Sequence, residues 1–108
     1  MKIKNIYDIK GLETIAGKEI FEDILKFHNF RVERIISINN CPSQDWMVQE
    51  WSELVFLLKG DATIEFANNG VIEMHEGDYC FIPKQLAHRV INTNALQTIW
   101  LAIHYEES

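Results

Sequence analysis

Cysteine is scarce in this chain, and the cysteines do not form a recognisable pair. The sequence holds two, Cys41 and Cys80, which are too far apart for a CxxC redox motif or a zinc knuckle. The N-terminus has lysines but no apolar run behind them, so it does not resemble a secretory signal. We therefore expect reduced thiols and a cytoplasmic protein.

Long apolar runs and basic clusters are also missing. No stretch approaches the ~20 apolar residues of a membrane-spanning helix. The sequence has ten scattered Lys and Arg residues and sixteen Asp and Glu residues, which gives a net charge of −6. An acidic chain without a basic cluster binds phosphate backbones and anionic membranes poorly, so we expect no nucleic-acid or membrane partner. The motifs GxxxxGK[ST], GxGxxG and GxSxG are absent too, which excludes those nucleotide and hydrolase sites.

The N-terminal quarter of the chain has apolar residues at roughly helical spacing. In GKEIFEDILKF, residues 17–27, this spacing predicts a short helix that Asn29 ends. The 108 residues are enough for one domain. We divide it into an N-terminal segment with a short helix, 1–28, and a β-barrel, 29–108.

The rest of the chain has the pattern of short strands separated by turn residues. Asn69-Gly70 is the strongest of the hairpin signals. The spacing leaves no room for crossover helices, so it indicates an all-β sandwich or barrel. The predicted strands are 31–38, 53–59, 62–66, 71–75, 78–82, 88–92 and 97–105.

The stretch EGDYCFIPKQLAHRVIN, residues 76–92, contains the first candidate for a functional side chain. Pro83 ends one strand, because proline cannot donate to a ladder, and His88 begins the next. Side-chain alternation puts His88, Val90 and Asn92 on one face of that strand. If this face points inward, a neutral imidazole at its start is well placed to bind a metal ion.

Two ordered patterns resemble the conserved motifs of the cupins: Glu53-x6-Gly60, and Gly77-x5-Pro83-x4-His88-x3-Asn92. The resemblance covers about residues 30–105 and is closest to small, single-domain bacterial cupins. It implies an all-β fold, a double-stranded β-helix or jelly-roll barrel, to which we add the short N-terminal helical segment. It also implies that the side chains of both motifs meet inside the barrel.

The first motif departs from the usual cupin pattern. Cupins carry His-x-His before the glutamate, and those two positions are Met47 and Gln49 here. The resemblance then implies a metal site formed by Gln49, Glu53 and His88. Such a set of nitrogen and oxygen donors would accept zinc, iron, manganese or nickel as a divalent ion, more weakly than the usual four ligands.

Five further residues are candidates for lining the pocket. Met47 is a candidate for core packing or for the pocket wall. The tryptophans suit a ligand cavity, the core or a dimer interface equally well. Strand alternation puts His104 on the same face as Trp100 and Ala102. We interpret it as a surface or interface histidine, or as a ligand or acid–base group if that face points inward. The candidates are Met47, Trp46, Trp51, Asn92 and His104.

Three functions are compatible with these residues. The first is a metal-dependent enzyme acting on a small organic molecule, in which the ion is a Lewis acid or binds dioxygen. The second is a binding or sensing module without catalysis and without metal, which the loss of the two histidines favours. The third is a dimeric structural protein with a vestigial pocket. We expect a small-molecule ligand and a homodimer, because sheet edges of such barrels are commonly covered by a second copy.

Overall fold

The structure is a computed structural model, and it describes residues 1–12, 19–39, 45–68, 70–93 and 96–106. Within these ranges the chain forms antiparallel strands joined by short connections. The strands are β1 (Glu19–Phe27), β2 (Phe30–Ile38), β3 (Ser52–Lys59), β4 (Ala62–Phe66), β5 (Val71–Met74), β6 (Tyr79–Ile82), β7 (His88–Thr93) and β8 (Gln97–Tyr105).

The strands make two sheets that face each other. One sheet has the order β1-β2-β8-β3-β6 and the other the order β5-β4-β7. Neighbouring strands in the larger sheet are mostly distant in sequence, as in a jelly roll, so the side chains of one face come from all parts of the chain. The expected all-β, double-stranded β-helix fold is confirmed.

The main core lies between the two sheets and is built by period-2 alternation. Val55 and Leu57 on β3 and Trp100 on β8 point into it, and Ile64 on β4 meets them from the other sheet. These side chains are at most 3% exposed. Burial of apolar surface on this scale is the main favourable contribution to folding.

The outer face of the larger sheet has a second, smaller core. Ile36, Ile38 and Ile99 point outward from β2 and β8, and Ile9 of the N-terminal segment covers them. This explains why β2 and β3 are apolar on both faces, as the sequence ELVFLLK had indicated.

The predicted helix at 17–27 is wrong. From Glu19 onward, the residues of this segment form β1, which pairs antiparallel with β2, and Asn29 lies in the hairpin turn that joins the two strands. The register shifts between Asp23 and Leu25, and this bulge resets the alternation of the strand. The apolar residues therefore fall on both faces of a strand, and this spacing resembles that of a helix.

The β4–β5 hairpin predicted from Asn69-Gly70 is confirmed, since these strands pair antiparallel. Asn69 itself lies outside the described residues, as does Cys41. No helix in the described part of the chain is long and apolar enough to cross a membrane.

Gly60 follows β3 at a point where the backbone has little room. Its φ is +94°, and an added Cβ would lie 2.8 Å from Thr98 Oγ1 and 2.9 Å from the carbonyl oxygen of Gln97. Gly77 has a similar φ of +91° but open space around it. An alanine at position 77 would therefore meet backbone strain alone, whereas an alanine at position 60 would meet both strain and steric overlap.

We expect Gly60→Ala to lower the free energy of unfolding by about 2–5 kcal/mol, because strain and a clash with β8 add together. Gly77→Ala, the matched control, should cost only the strain, about 1–2 kcal/mol. Urea denaturation of the two variants measures the difference. Equal losses would show that the approach of β8 does not restrict position 60.

Candidate functional site

Glu53 and His104 lie directly opposite each other on β3 and β8. Both are buried, at 6% and 5% exposure. His104 Nδ1 is 3.6 Å from Glu53 Oε2, and its Nε2 is 3.3 Å from Oε1 of Glu33, a third buried residue, on β2. His104 therefore stands between two buried carboxyl groups.

Burial sets the protonation of this cluster. It raises the pKa of Glu53 above its ordinary value, and His104 and His88 oppose the shift only in part. It raises the pKa of Glu33 as well, and it lowers the pKa of His104. Each shift favours the uncharged form, because a charge is expensive to keep away from water.

Gln49 holds the Glu53 carboxylate from the other side. The two side chains are hydrogen-bonded, and an amide N–H is the group that donates to a carboxylate. The backbone fixes Gln49 in turn, because its carbonyl accepts a 2.7 Å hydrogen bond from the N–H of Gln85. The carboxyl group of Glu53 is thus hydrogen-bonded to a side chain that the backbone holds in place.

His88 begins β7 and is fixed by its backbone and by its ring. Its N–H donates to Met47 O at 3.0 Å, and Met47 N–H donates back to His88 O at 2.8 Å. His88 Nδ1 is 3.0 Å from the carbonyl oxygen of Leu86 and must donate to it. In the neutral ring this leaves Nε2 as a hydrogen-bond acceptor.

A cavity of about 50 Å³ lies between the sheets, and Glu53, His88 and Met47 all line it. We call it the deep cavity. It has room for a few water molecules or a small ligand. Its walls are mostly apolar, with three polar residues among them. The lining residues are Glu19, Phe21, Ile35, Met47, Glu53, Val55, Ile64, Ile82, His88, Val90 and Trp100.

Two predicted lining residues do not reach the deep cavity. Trp46 is 42% exposed, and its ring stacks under the guanidinium of Arg89, 4.3 Å from the ring centroid. Trp51 packs edge-on against His104, with ring centroids 5.5 Å apart, on the side away from the cavity.

Asn92 is not among the lining residues either, because β7 does not alternate regularly. Val90 pairs with Ile64, but Asn92 pairs with Thr63, so the register shifts by one residue between them. This shift moves Thr93 to the face that Ala62 shares, and Asn92 to the opposite face. Paired residues share a face, and regular alternation had placed Asn92 with His88.

The position of His104 differs from the surface or interface location that we had favoured. It is buried in the middle strand of the sheet, and it joins Glu33, a residue that the sequence analysis missed. The sequence does contain a signal for Glu33, because strand alternation in RVERIISI puts Arg31 and Glu33 on the same face as Ile35. Charged residues in the apolar face of a strand indicate a polar site inside a fold.

The donor set does not fit a resident metal ion. In the described ranges, no group of three or more His, Cys, Asp and Glu side chains could hold one. Glu53 is bonded to Gln49 and faces His104, and the remaining predicted ligand nitrogen is His88 Nε2. A first-row metal needs more imidazole, thiolate or carboxylate donors than these residues supply.

We expect Glu53→Gln to reduce the pH dependence of stability. The folded chain keeps the Glu53 proton to a higher pH than the unfolded chain, so stability falls as pH rises from about 4.5 through the raised pKa. The amide has no such proton. Its free energy of unfolding, measured in urea, should therefore fall less than that of the unchanged protein between about pH 5 and about pH 8.

The matched control is Glu73→Gln, which changes an exposed carboxyl group on β5. Its stability should follow the unchanged protein across the same pH range. If Glu53→Gln runs parallel to both, the buried carboxyl of Glu53 is not the source of the slope.

Comparison with known proteins agrees with this fold. The family model described as "Cupin domain" matches residues 41–104. A Ralstonia eutropha protein, provisionally named a mannose-6-phosphate isomerase, is 31% identical with a TM-score of 0.86, over 99% of this chain and 100% of that one. No curated protein matches the chain.

Two more distant structures share the fold. A cupin superfamily protein of Desulfitobacterium hafniense is 13% identical with a TM-score of 0.75, over 99% of this chain and 100% of that one. A cupin-family protein of Methanocaldococcus jannaschii with a double-stranded β-helix fold is 13% identical with a TM-score of 0.73, over 98% of this chain and 94% of that one. With the family model matching more than half of its length, this chain belongs to the cupin family.

Proposed function

We propose that this cupin binds a small, largely apolar organic molecule in the deep cavity, without a metal ion. The observation that carries the proposal is that His88 Nδ1 lies 3.0 Å from the carbonyl oxygen of Leu86, which leaves Nε2 as the acceptor of a neutral ring in the cavity wall, while Glu53 is bonded to Gln49 and faces His104. An apolar pocket with a few fixed polar groups is the usual form of a small-molecule site.

The polar groups of the cavity favour a ligand that donates hydrogen bonds. His88 Nε2 is an acceptor when Nδ1–H donates to Leu86. Glu19 and Glu53 line the same cavity, and each has a carbonyl or carboxylate oxygen to offer. A hydroxyl or amino group on an apolar body matches this set.

A phosphorylated sugar, the substrate that the name of the Ralstonia protein suggests, fits the cavity poorly. Two of its described lining residues are glutamates and none is Lys or Arg. A phosphate group brings about two negative charges and needs cationic or backbone N–H partners. A volume of about 50 Å³ is also small for a hexose phosphate.

We also propose a homodimer that forms along β1. This strand is at the edge of the larger sheet, and it carries exposed apolar side chains at Phe21, Ile24, Leu25 and Phe27. A long edge strand with exposed apolar side chains is a template for another strand, and two copies of one edge can pair about a twofold axis. Phe21 lines the deep cavity as well, so a partner strand would help to close it.

The ligand prediction uses isobutyramide and isobutanol as uncharged donors and isobutyrate as the matched anion. NMR titration should show both donors binding near the His88 ring more tightly than isobutyrate, and EDTA should not change this result. His88→Phe, which removes the acceptor but fills its volume, should weaken the binding of isobutyramide by about tenfold or more. His75→Ala is the control, because His75 is exposed, with 66% of its side chain accessible.

The metal-dependent alternative predicts the opposite results. Protein purified without a nickel column would contain about one metal ion per chain, His88→Phe would lose it, and EDTA would abolish binding. Tighter binding of isobutyrate or of mannose 6-phosphate would contradict the proposed ligand class.

The dimer prediction uses a charge on the exposed edge. Ile24→Lys should convert the dimer to a monomer in light scattering, because a buried, unpaired ammonium is expensive at an interface. Val71→Lys is the control, since Val71 is 57% exposed on β5, at the edge of the other sheet. A monomeric unchanged protein, or a dimeric Ile24→Lys variant, would contradict this interface.

A further inference from the structure

A second cavity opens at the end of the larger sheet, beside the β1–β2 hairpin. It has a volume of about 120 Å³ and shares no lining residue with the deep cavity. We call it the hairpin cavity. Its walls combine cations with aromatic rings: Lys26, Arg31, Phe27, Phe30, Trp51 and Tyr105.

Two cations of this cavity are direct neighbours across the sheet. Lys26 on β1 pairs with Arg31 on β2, and Arg31 pairs with His104 on β8, so all three share a face. Like charges placed directly opposite destabilise a sheet. An anion between or beside them would remove that cost.

Protein carboxylates balance these cations only weakly. The ion pair of Arg31 joins its Nε to Asp23 Oδ1 at 3.8 Å, which is too long for a hydrogen bond. Lys26 has no ion pair with any residue that the structure describes. Glu33 is hydrogen-bonded to His104 and interacts with Arg31 only at longer range, and Glu106 is an exposed residue of the cavity lining.

Two buried N–H groups in the same wall also need acceptors. Arg31 Nε and Trp51 Nε1 are both buried, and neither finds a hydrogen-bond acceptor in the described part of the chain. The guanidinium lies over the Trp51 ring, 5.3 Å from its centroid, so the two groups form one surface. Buried donors without acceptors cost free energy, and a ligand oxygen would supply what they need.

We propose that the hairpin cavity binds a small organic carboxylate. Its oxygens would accept from Arg31 and Lys26, and Arg31 is open to it because 28% of its side chain is exposed. Its apolar body would pack on Trp51 and Phe27. The aromatic walls favour a carboxylate over inorganic phosphate, which has no apolar part to bury.

The proposal is independent of the ligand in the deep cavity, because the two sites share no lining residue and differ in their ionisable groups. The hairpin cavity has Lys26 and Arg31, whereas the deep cavity has Glu19 and Glu53. Failure of one test therefore leaves the other unaffected.

The test is an NMR titration of the whole chain with benzoate, a carboxylate on a flat apolar body. We expect a saturable shift of the Trp51 indole N–H, while the indole of Trp100, in the wall of the deep cavity, stays unchanged. Lys26→Gln and Arg31→Gln should each weaken the binding of benzoate by about tenfold or more, seen as a higher Kd. Lys10→Gln, an equal change of charge at an exposed position, should have no effect.

Benzyl alcohol has nearly the same shape without the charge and should not compete with benzoate. Lys26→Gln carries the test if Arg31→Gln fails to fold, because Lys26 is exposed. The proposal is overturned if benzoate gives no saturable shift at Trp51, if benzyl alcohol binds equally well, or if Lys26→Gln binds as tightly as the unchanged protein. Tighter binding of inorganic phosphate than of benzoate would overturn the carboxylate class.

Discussion

The antiparallel pairing of β3 with β8 buries a carboxyl group directly opposite a histidine, and the interior of the barrel is arranged around that contact. Glu53 could not remain between two sheets without partners, because an isolated buried carboxylate is far too expensive. Gln49 supplies a hydrogen bond and His104 an electrostatic contact at 3.6 Å, and Glu33 lies within hydrogen-bond distance of the other nitrogen of His104. The result is a polar layer across the sheet, with the deep cavity on one side and the hairpin cavity beyond Trp51 on the other.

The two substitutions in the first cupin motif change what this layer can do. Where a cupin has His-x-His, this chain has a thioether and an amide, Met47 and Gln49. A metal ion would draw Glu53 into its coordination shell and would keep the carboxylate ionised. The Gln49 amide binds the same carboxylate without a positive charge, so burial dominates and the pKa of Glu53 rises. Glu53 is therefore held in this chain by a hydrogen bond from a neutral amide.

The sequence predicted the barrel and part of the site well, because those parts depend on local signals. Strand periodicity located every strand after β1, and the ordered motifs brought Glu53 and His88 to one cavity. Two β-bulges account for two of the wrong predictions. The bulge in β1 gives that strand a helix-like spacing of apolar residues, and the register shift in β7 places Asn92 on the face opposite to His88. The burial of His104 depends on the strand order β2-β8-β3, which is a long-range property that no local pattern contains.

The two cavities differ in charge because of where each lies relative to water. Glu19 and Glu53 line the deep cavity, where burial raises the pKa of both and so favours their uncharged, hydrogen-bonding form. Lys26 and Arg31 lie at the open end of the sheet, where water reaches part of each side chain. His104, whose pKa burial lowers, separates them as an uncharged group. The deep cavity therefore has uncharged hydrogen-bonding groups, whereas the hairpin cavity has cations, which is why we propose different ligands for the two.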